Sequence, residues 1–384
     1  MKDITKYKTG EHILIKGNEA LAEGAVRAGC RFFSGYPITP QNEVPEYLSW
    51  RLFEVGGTFI QAEAEVSAIN MLYGAAAVGT RAMTSSSGCG ISLKQEGISY
   101  IASAELPIFY ANVMRGGPGL GNISPYQGDY FQSTRGGGHG DYRVIVLAPN
   151  SVTEMGNFPY LGYKLADKYR IPCMVLADGL LGQMMEPMEF KFDWVDINKL
   201  PPKDYTLTGC KNRERRIINT LYMDVNILER HTWHLYQKYR EIEATEVRYE
   251  ERYTEDADII VVAYGTSARV AMDAIAKARK QGIKVGLFRP ITLWPFPKKR
   301  LLELTARSSK FLVVEMSIGQ MVEDVELSLQ GKAEIYFYGQ PGGIVPTGDT
   351  IKNQISKIKP VSDVSDSGTQ KLNSQSKVIY LNDI

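Results

Sequence analysis

Short apolar runs alternate along the chain with longer stretches in which apolar positions recur at helical spacing. HILIKG (12–17) predicts a short strand or lead-in, and GNEALAEGAVRAG (17–29) a helix with a small-residue face. RFFSGYPITP (31–40) predicts a strand that breaks at Gly35. Within it, Thr39 followed by Pro40 has the pattern of a helix N-cap with proline at the first helical position, which predicts that the helix over 41–52 starts there. TFIQAE, RAMTSSSG, PIFYANVM, YRVIVLAP and IPCMVLAD predict further strands. EVSAINMLYGAAAVG, ISLKQEGISYIASAE and SVTEMGNFPYLGYKLADKY predict the helices between them. This alternation implies right-handed crossovers and a mostly parallel sheet covered on both faces, an α/β domain over residues 12–185.

Residues 186–255 break the rhythm. A Pro-rich extended stretch leads into a heavily charged segment, expected to be a linker with an exposed helix that reaches a neighbouring domain or subunit. His231 and His234 lie three apart without a partner at metal-ligand spacing, so they are expected on a solvated face. A second α/β domain is expected over 256–350, built from DADIIVVAYGTSARV, KFLVVEMSIGQMVEDV and AEIYFYG. Residues 351–384 form a polar tail, with 359–375 expected to be mobile and VIYLN (378–382) able to dock as a strand on a partner.

Composition narrows the function classes. The chain has 384 residues, 44% of them hydrophobic and 23% charged, with a net charge of +1, a balance that calls for neither nucleic acid nor an anionic membrane surface. The N-terminus has no apolar secretory core, and no segment reaches the ~18 apolar residues of a membrane span, so the expected compartment is the cytoplasm. Cys30, Cys89, Cys173 and Cys210 are far apart, which argues against a disulfide, a zinc site or an iron–sulfur cluster held by this chain alone.

The chemistry is expected on one sheet rim. In open parallel sheets ligands bind outside the carboxyl ends of the strands. Tyr36-Pro37-Ile38-Thr39-Pro40, Glu63 with Glu65, Ser85 to Gly90, and Arg115 all fall at such ends. From Arg115 to Gly140, nine of 26 residues are glycine and two are proline, a composition unsuited to a helix or sheet interior and suited to close approach by an anion. Arg115 opens that segment and is expected to take a substrate carboxylate, an ion pair with a protein carboxylate being its plain alternative. Glu65 opens a helix of apolar and small residues that is expected to be buried, and reads equally well as a catalytic or a helix-dipole carboxylate. GGPGLGN is not a dinucleotide fingerprint, no P-loop is present, and no nucleophile elbow surrounds Ser85, Ser86 and Ser87. His139 is expected to be solvated rather than to touch ligand.

YPITP, QAEAEVSAINMLYGAAAVG, TSSSGCGISLKQEGISYIASAELP and NVMRGGPGLGN together resemble the alpha subunit of 2-oxoacid:ferredoxin oxidoreductases, and the likeness continues to about Asp349. Within that family MRGGPGLGN, DYRVIVLAPNSVTEM and DGLLGQMMEP are most similar to the branched-chain (3-methyl-2-oxobutanoate) type, with the 2-oxoglutarate type close behind. The resemblance implies a pyrimidine-type thiamine-diphosphate domain followed by a transketolase C-terminal-like α/β domain. It implies a thiamine diphosphate shared with a beta subunit, magnesium and iron–sulfur clusters on partner subunits, and coenzyme A as co-substrate. Gamma and ferredoxin-like delta subunits, ferredoxin as acceptor, and a dimer of hetero-oligomers would complete the assembly. By carry-over, Glu65 would share a proton with the aminopyrimidine ring, Thr39 would bond the substrate's keto or carboxylate oxygen, and Arg115 would hold the carboxylate until CO₂ leaves. Tyr36, Pro37, Ser87 and Gly88 would line the cofactor. The Gly-Asp-Gly diphosphate motif is matched here only by Ala177-Asp178-Gly179, without its first glycine, as expected if the diphosphate sits on a partner chain. A non-catalytic scaffold that keeps the fold, and a split transketolase-like or decarboxylase enzyme without ferredoxin, are the competing expectations.

Overall fold

The computed structural model describes residues 5–358 and 378–382. The chain opens with β1 (Ile13–Lys16), α1 (Gly17–Arg27), β2 (Phe32–Gly35), α2 (Glu43–Glu54), β3 (Thr58–Gln61) and α3 (Glu65–Ala77). It continues through β4 (Ala82–Ser86), α4 (Cys89–Ser103), β5 (Phe109–Met114), α5 (Tyr130–Thr134), β6 (Ile145–Leu147), α6 (Val152–Tyr169) and β7 (Cys173–Asp178). After α7 (Gly179–Gln183) and β8 (Met185–Met188) comes a long irregular stretch, then α8 (Val225–Thr245) and β9 (Tyr249–Arg252). The remainder is β10 (Ile259–Val262), α9 (Gly265–Lys280), β11 (Val285–Pro290), β12 (Thr292–Trp294), α10 (Lys298–Leu304), β13 (Lys310–Glu315), α11 (Met321–Leu329), β14 (Glu334–Gly339), α12 (Gly348–Lys357) and β15 (Val378–Tyr380).

Two sheets carry the fold. The first has seven strands in the order β12-β6-β7-β5-β4-β2-β3, all parallel except β12, which runs antiparallel to β6. Strands β5 and β7 are buried along their whole length, which is why FYANVM and CMVLAD read as near-continuous apolar runs. The second sheet has six strands in the order β15-β14-β13-β10-β11-β9, with only β9 antiparallel. The small-residue face of α1 packs on α6 so closely that a Cβ at Gly24 would lie 2.1 Å from the carbonyl oxygen of Gly156. On its other side α1 buries Glu23 against Arg51 of α2 at 2.8 Å, and Tyr47 donates to the same carboxylate, so this buried charge is paired and hydrogen-bonded.

The sheets are joined by buried polar contacts. Asp178 caps α7 by accepting from the amides of Leu180 and Leu181, and also accepts from the Thr266 hydroxyl at 2.8 Å on α9. Gln127, from the Gly-rich segment, donates to the Tyr264 carbonyl and accepts from the Ser267 hydroxyl and the Met316 amide. Burial raises the pKa of Asp178, and the same cause raises that of Glu315, whose carboxylate accepts amides at the start of α11.

Four expectations are corrected. Helix α2 starts at Glu43 with Asn42 at its cap, so Thr39 and Pro40 are not its first residues. They form a turn whose geometry is set by tertiary bonds, because the Pro40 carbonyl is taken by the side-chain amides of Asn18 and Gln183 at 2.8 and 2.9 Å. Second, α3 is buried on one face only: Val66 is 42% and Met71 37% exposed. Third, the Gly-rich segment contains α5, which forms in the glycine-free run Tyr130–Thr134. Fourth, VIYLN docks on its own chain, β15 pairing parallel with β14. The stretch 359–375 lies outside the described residues. Several elements went unread, among them β8, which pairs antiparallel with β1, the short β9, β12, α7 and α10, and α12, which the expectation of a polar tail hid.

Candidate active site

Topology makes the site before any side chain does. From β2 the chain crosses to β3 on one side, and the next crossover returns to place β4 on the other side of β2. The crossovers therefore diverge between β2 and β4, and a crevice opens at the carboxyl ends of those strands. The turn after β2 carries Tyr36 to Pro40, and the turn after β4 carries Ser87 and Gly88. Arg115 follows β5, the next strand along.

Arg115 ties the rim together. Its guanidinium donates to the Thr39 carbonyl at 3.1 Å, to the Leu120 carbonyl at 3.1 Å, and to the Cys89 sulfur at 3.3 Å. Its side chain also lies over Gly88, whose φ of +44° takes the backbone through a bend that disfavours any side chain. Among the described residues Arg115 forms no ion pair, so the plain alternative for this charge has no partner. The nearby carboxylate is that of Asp129, which is instead held by the Asn112 amide at 2.9 Å and has its pKa raised by burial against the opposing pull of that bond and of Arg115. Asn112 also accepts from the Gly88 amide at 3.4 Å, so one buried side chain fixes both the β4 turn and the Gly-rich segment. Thr39 is half-buried and its hydroxyl oxygen accepts from Asn42 at 3.2 Å, which leaves its proton free to donate.

Glu65 stands at the first position of α3 and is 6% exposed. Its carboxylate faces Gly90 at the start of α4 and takes no hydrogen bond from the described residues. The Ser86 hydroxyl lies beside the same Gly90, and it and the Ser87 hydroxyl are buried without hydrogen-bond partners among the described residues. A Cβ at Gly90 would fall 2.2 Å from the Ser86 hydroxyl and 2.6 Å from the Glu65 carboxylate. The Glu65 carboxylate and the Ser86 hydroxyl are thus left to pair with a bound polar group such as a heteroaromatic ring, since buried polar atoms are otherwise paired. Tyr36 is 39% exposed at the rim, Pro37 is exposed next to it, and Glu63 is exposed and bonded by Ser67. His139 is exposed in the loop after α5. His231 donates to the Ser103 carbonyl and His234 to the Glu105 carboxylate, so both serve to dock α8.

Lys94 is the residue that sequence reasoning missed. It is fully buried on α4, its ammonium donating to the Thr84 hydroxyl at 2.7 Å and the Ser85 carbonyl at 3.1 Å. Burial pulls its pKa down to about 7, opposed by the charge of Glu65. Its helical register was the available signal, because Ile91, Lys94, Ile98 and Ile101 share one stripe. Gln41, also missed, is buried and accepts from the Ser85 hydroxyl, locking the β2 turn to β4.

The fold and this rim define a thiamine-diphosphate-binding α/β domain carrying a second α/β domain. Residues 23–254 match the family model for the thiamine-diphosphate-binding region of pyruvate flavodoxin/ferredoxin oxidoreductase, and residues 257–351 match core domain II of pyruvate:ferredoxin oxidoreductase. The chain belongs to the 2-oxoacid:ferredoxin oxidoreductase family, as an alpha-type subunit. It is 48% identical over 349 residues to the ketoisovalerate oxidoreductase subunit VorB of Methanothermobacter thermautotrophicus, covering 91% of this chain and 97% of that one. It is 35% identical over 379 residues to the 2-oxoglutarate synthase subunit KorA of Methanothermobacter marburgensis, covering 91% and 100%. Among solved structures, the 2-oxoglutarate:ferredoxin oxidoreductase of Magnetococcus marinus, with 2-oxoglutarate, coenzyme A and succinyl-CoA bound, superposes with a TM-score of 0.79. That likeness is 27% identical in sequence and covers 90% of this chain and 65% of the other. Among the described residues no helix is long and apolar enough to cross a membrane.

Proposed function

We propose that this chain forms half of the active site of an enzyme that converts a branched-chain 2-oxoacid, 3-methyl-2-oxobutanoate, coenzyme A and oxidised ferredoxin to acyl-CoA, CO₂ and reduced ferredoxin. The observation that carries the reading is the Arg115 guanidinium, held across the β4 turn from the Glu65 carboxylate, with no ion-pair partner for the first and no hydrogen bond to the second among the described residues. Bound thiamine diphosphate supplies the nucleophilic carbon and the electron sink that cleavage beside a keto group requires. Glu65 then shares a proton with the aminopyrimidine ring, and its low exposure strengthens that bond. Ser87 and Gly88 wall the ring, with Tyr36 and Pro37 at the mouth. Arg115 clamps the substrate carboxylate through its fork of N–H donors, and the Thr39 hydroxyl donates to the keto oxygen. Loss of CO₂ removes the charge that Arg115 held.

The diphosphate with its magnesium, and the clusters that carry two electrons to ferredoxin, belong in this reading to beta, gamma and ferredoxin-like delta subunits. The names of the relatives, all subunits, support an assembly of that kind. The branched-chain substrate rests on the higher identity to the ketoisovalerate subunit, and 2-oxoglutarate is the second reading, favoured by the solved relative that holds it. Viologen reduction by the purified complex decides between them: faster turnover of 3-methyl-2-oxobutanoate supports the first and faster turnover of 2-oxoglutarate the second. Glu65→Gln in the same complex should lower kcat by roughly 10²–10⁴-fold with unchanged melting. Full activity in that variant would make the chain a scaffold.

A further inference from the structure

Where the Gly-rich segment ends, at Thr134 to Arg143, two clefts meet. One, of about 520 Å³, is walled by aromatic rings: Tyr142, Trp233, Tyr236, Tyr239 and Trp294. The other, of about 860 Å³, is walled by cations: Arg135, Arg143, Arg240, Lys298, Lys299 and Arg300. They share Arg143, Arg240, Glu243 and Trp294, so they form one groove with an aromatic end and a positive end. Trp233, Tyr236, Arg240 and Glu243 of α8 recur at helical spacing, which gives that helix a reason to present this face.

Part of the positive charge is neutralised. Arg135 meets Glu323 and Asp324 at 3.4 and 3.5 Å, Arg240 meets Glu243 at 2.6 Å, and Arg300 meets Glu251 and Glu303. Arg143, Lys298 and Lys299 are exposed and have no carboxylate partner among the described residues. At the aromatic end, Trp233 and Tyr236 are 58% and 50% exposed and meet edge to face at 5.5 Å, so a planar group can stack on one ring while touching the other. Tyr239, a residue only 7% exposed, lines the buried side of that end. Asp141 lines the same end and offers an acceptor for ribose hydroxyls.

We propose that this groove binds a nucleotide polyphosphate, its base against Trp233 and Tyr236 and its phosphates on Arg143, Lys298 and Lys299. Planar bases stack on exposed aromatic rings, and unpaired Arg and Lys side chains recognise phosphate. Two sources offer that chemistry: the nucleotide end of coenzyme A, an assignment that rests on the reading above, and a free adenine nucleotide acting as effector.

The test uses the purified assembled complex and N-methylanthraniloyl-ADP, read by the fluorescence anisotropy of the probe itself. Saturable binding is expected, weakened about tenfold or more by Lys298→Glu with Lys299→Glu, and about tenfold by Trp233→Ala. Arg143→Ala is the independent variant should the double charge reversal fail to fold. Displacement of the probe by coenzyme A, with a raised KM for coenzyme A in the variants, assigns the groove to the co-substrate. Displacement by ADP or ATP with that KM unchanged assigns it to an effector. Absence of saturable binding at millimolar probe, or equal affinity in the variants, overturns the proposal. Probe binding that persists in a complex whose turnover ignores Glu65→Gln would sink the catalytic reading and leave the groove standing.

Discussion

Glu65 and Gly90 are in contact across two helix starts, the carboxylate occupying the space a methyl group at position 90 would need. A side chain there would meet both the Glu65 carboxylate and the Ser86 hydroxyl at distances real Cβ atoms do not reach. Gly90→Ala should therefore displace Glu65, costing about 1–3 kcal/mol in stability and on the order of 10²-fold in kcat. Urea unfolding and viologen assays of the complex check the two effects separately.

Arg115 is expected to act through geometry as well as charge. Arg115→Ala should raise KM for the 2-oxoacid roughly 100-fold, the value of a lost charge-assisted pair of hydrogen bonds. Arg115→Lys keeps the charge without the fork and should recover only part of the loss. A KM for coenzyme A that rises equally in both variants would show that the residue serves the fold instead.

Lys94 gives the protein a pH signature. Its pKa falls from 10.5 in the unfolded chain to about 7 in the fold, so folding releases a proton between those values. The neutral amine is the form the interior favours. Stability from this group therefore rises with pH from about 7 toward 10.5, by at most about 1.4 kcal/mol per pH unit. Below about 7 the ammonium is buried charged and the slope vanishes. Denaturation midpoints of the wild type and Lys94→Met between pH 6.5 and 9 should converge or cross as pH rises. Parallel curves would remove Lys94 as the cause.

The junction between the sheets should be sensitive to a single hydroxyl. Thr266→Val removes the 2.8 Å bond to the buried Asp178 carboxylate and should cost about 1–3 kcal/mol. Thr266→Ser should restore most of it. Thermal melting of the complex distinguishes the pair, and equal melting would mean that water replaces the hydroxyl.

Much of the fold was legible because its strands are buried on both faces and its helices lie between glycines. β5 and β7 could be read from apolar runs alone. Elements held by distant partners were not legible. β8 exists because it pairs with β1, and α2 begins at Glu43 because Asn18 and Gln183 hold the Pro40 carbonyl, neither of which is a local signal. The half-open α3 was misread for a related reason, since helical hydrophobicity does not say whether the covering surface belongs to the same chain.

By itself the sequence determined the alternation of strands and helices, the rim on which Thr39, Glu65, Ser87, Gly88 and Arg115 stand, and the absence of P-loop and dinucleotide motifs. Local propensity and periodicity suffice for those, because each depends on neighbours within a few residues. Only the tertiary structure decided that Arg115 has no ion-pair partner among the described residues, that Glu65 faces Gly90 beside the Ser86 hydroxyl, and that Lys94 lies buried against Thr84 and Ser85. Burial and charge compensation are sums over groups distant in the chain, and folding alone brings those groups together.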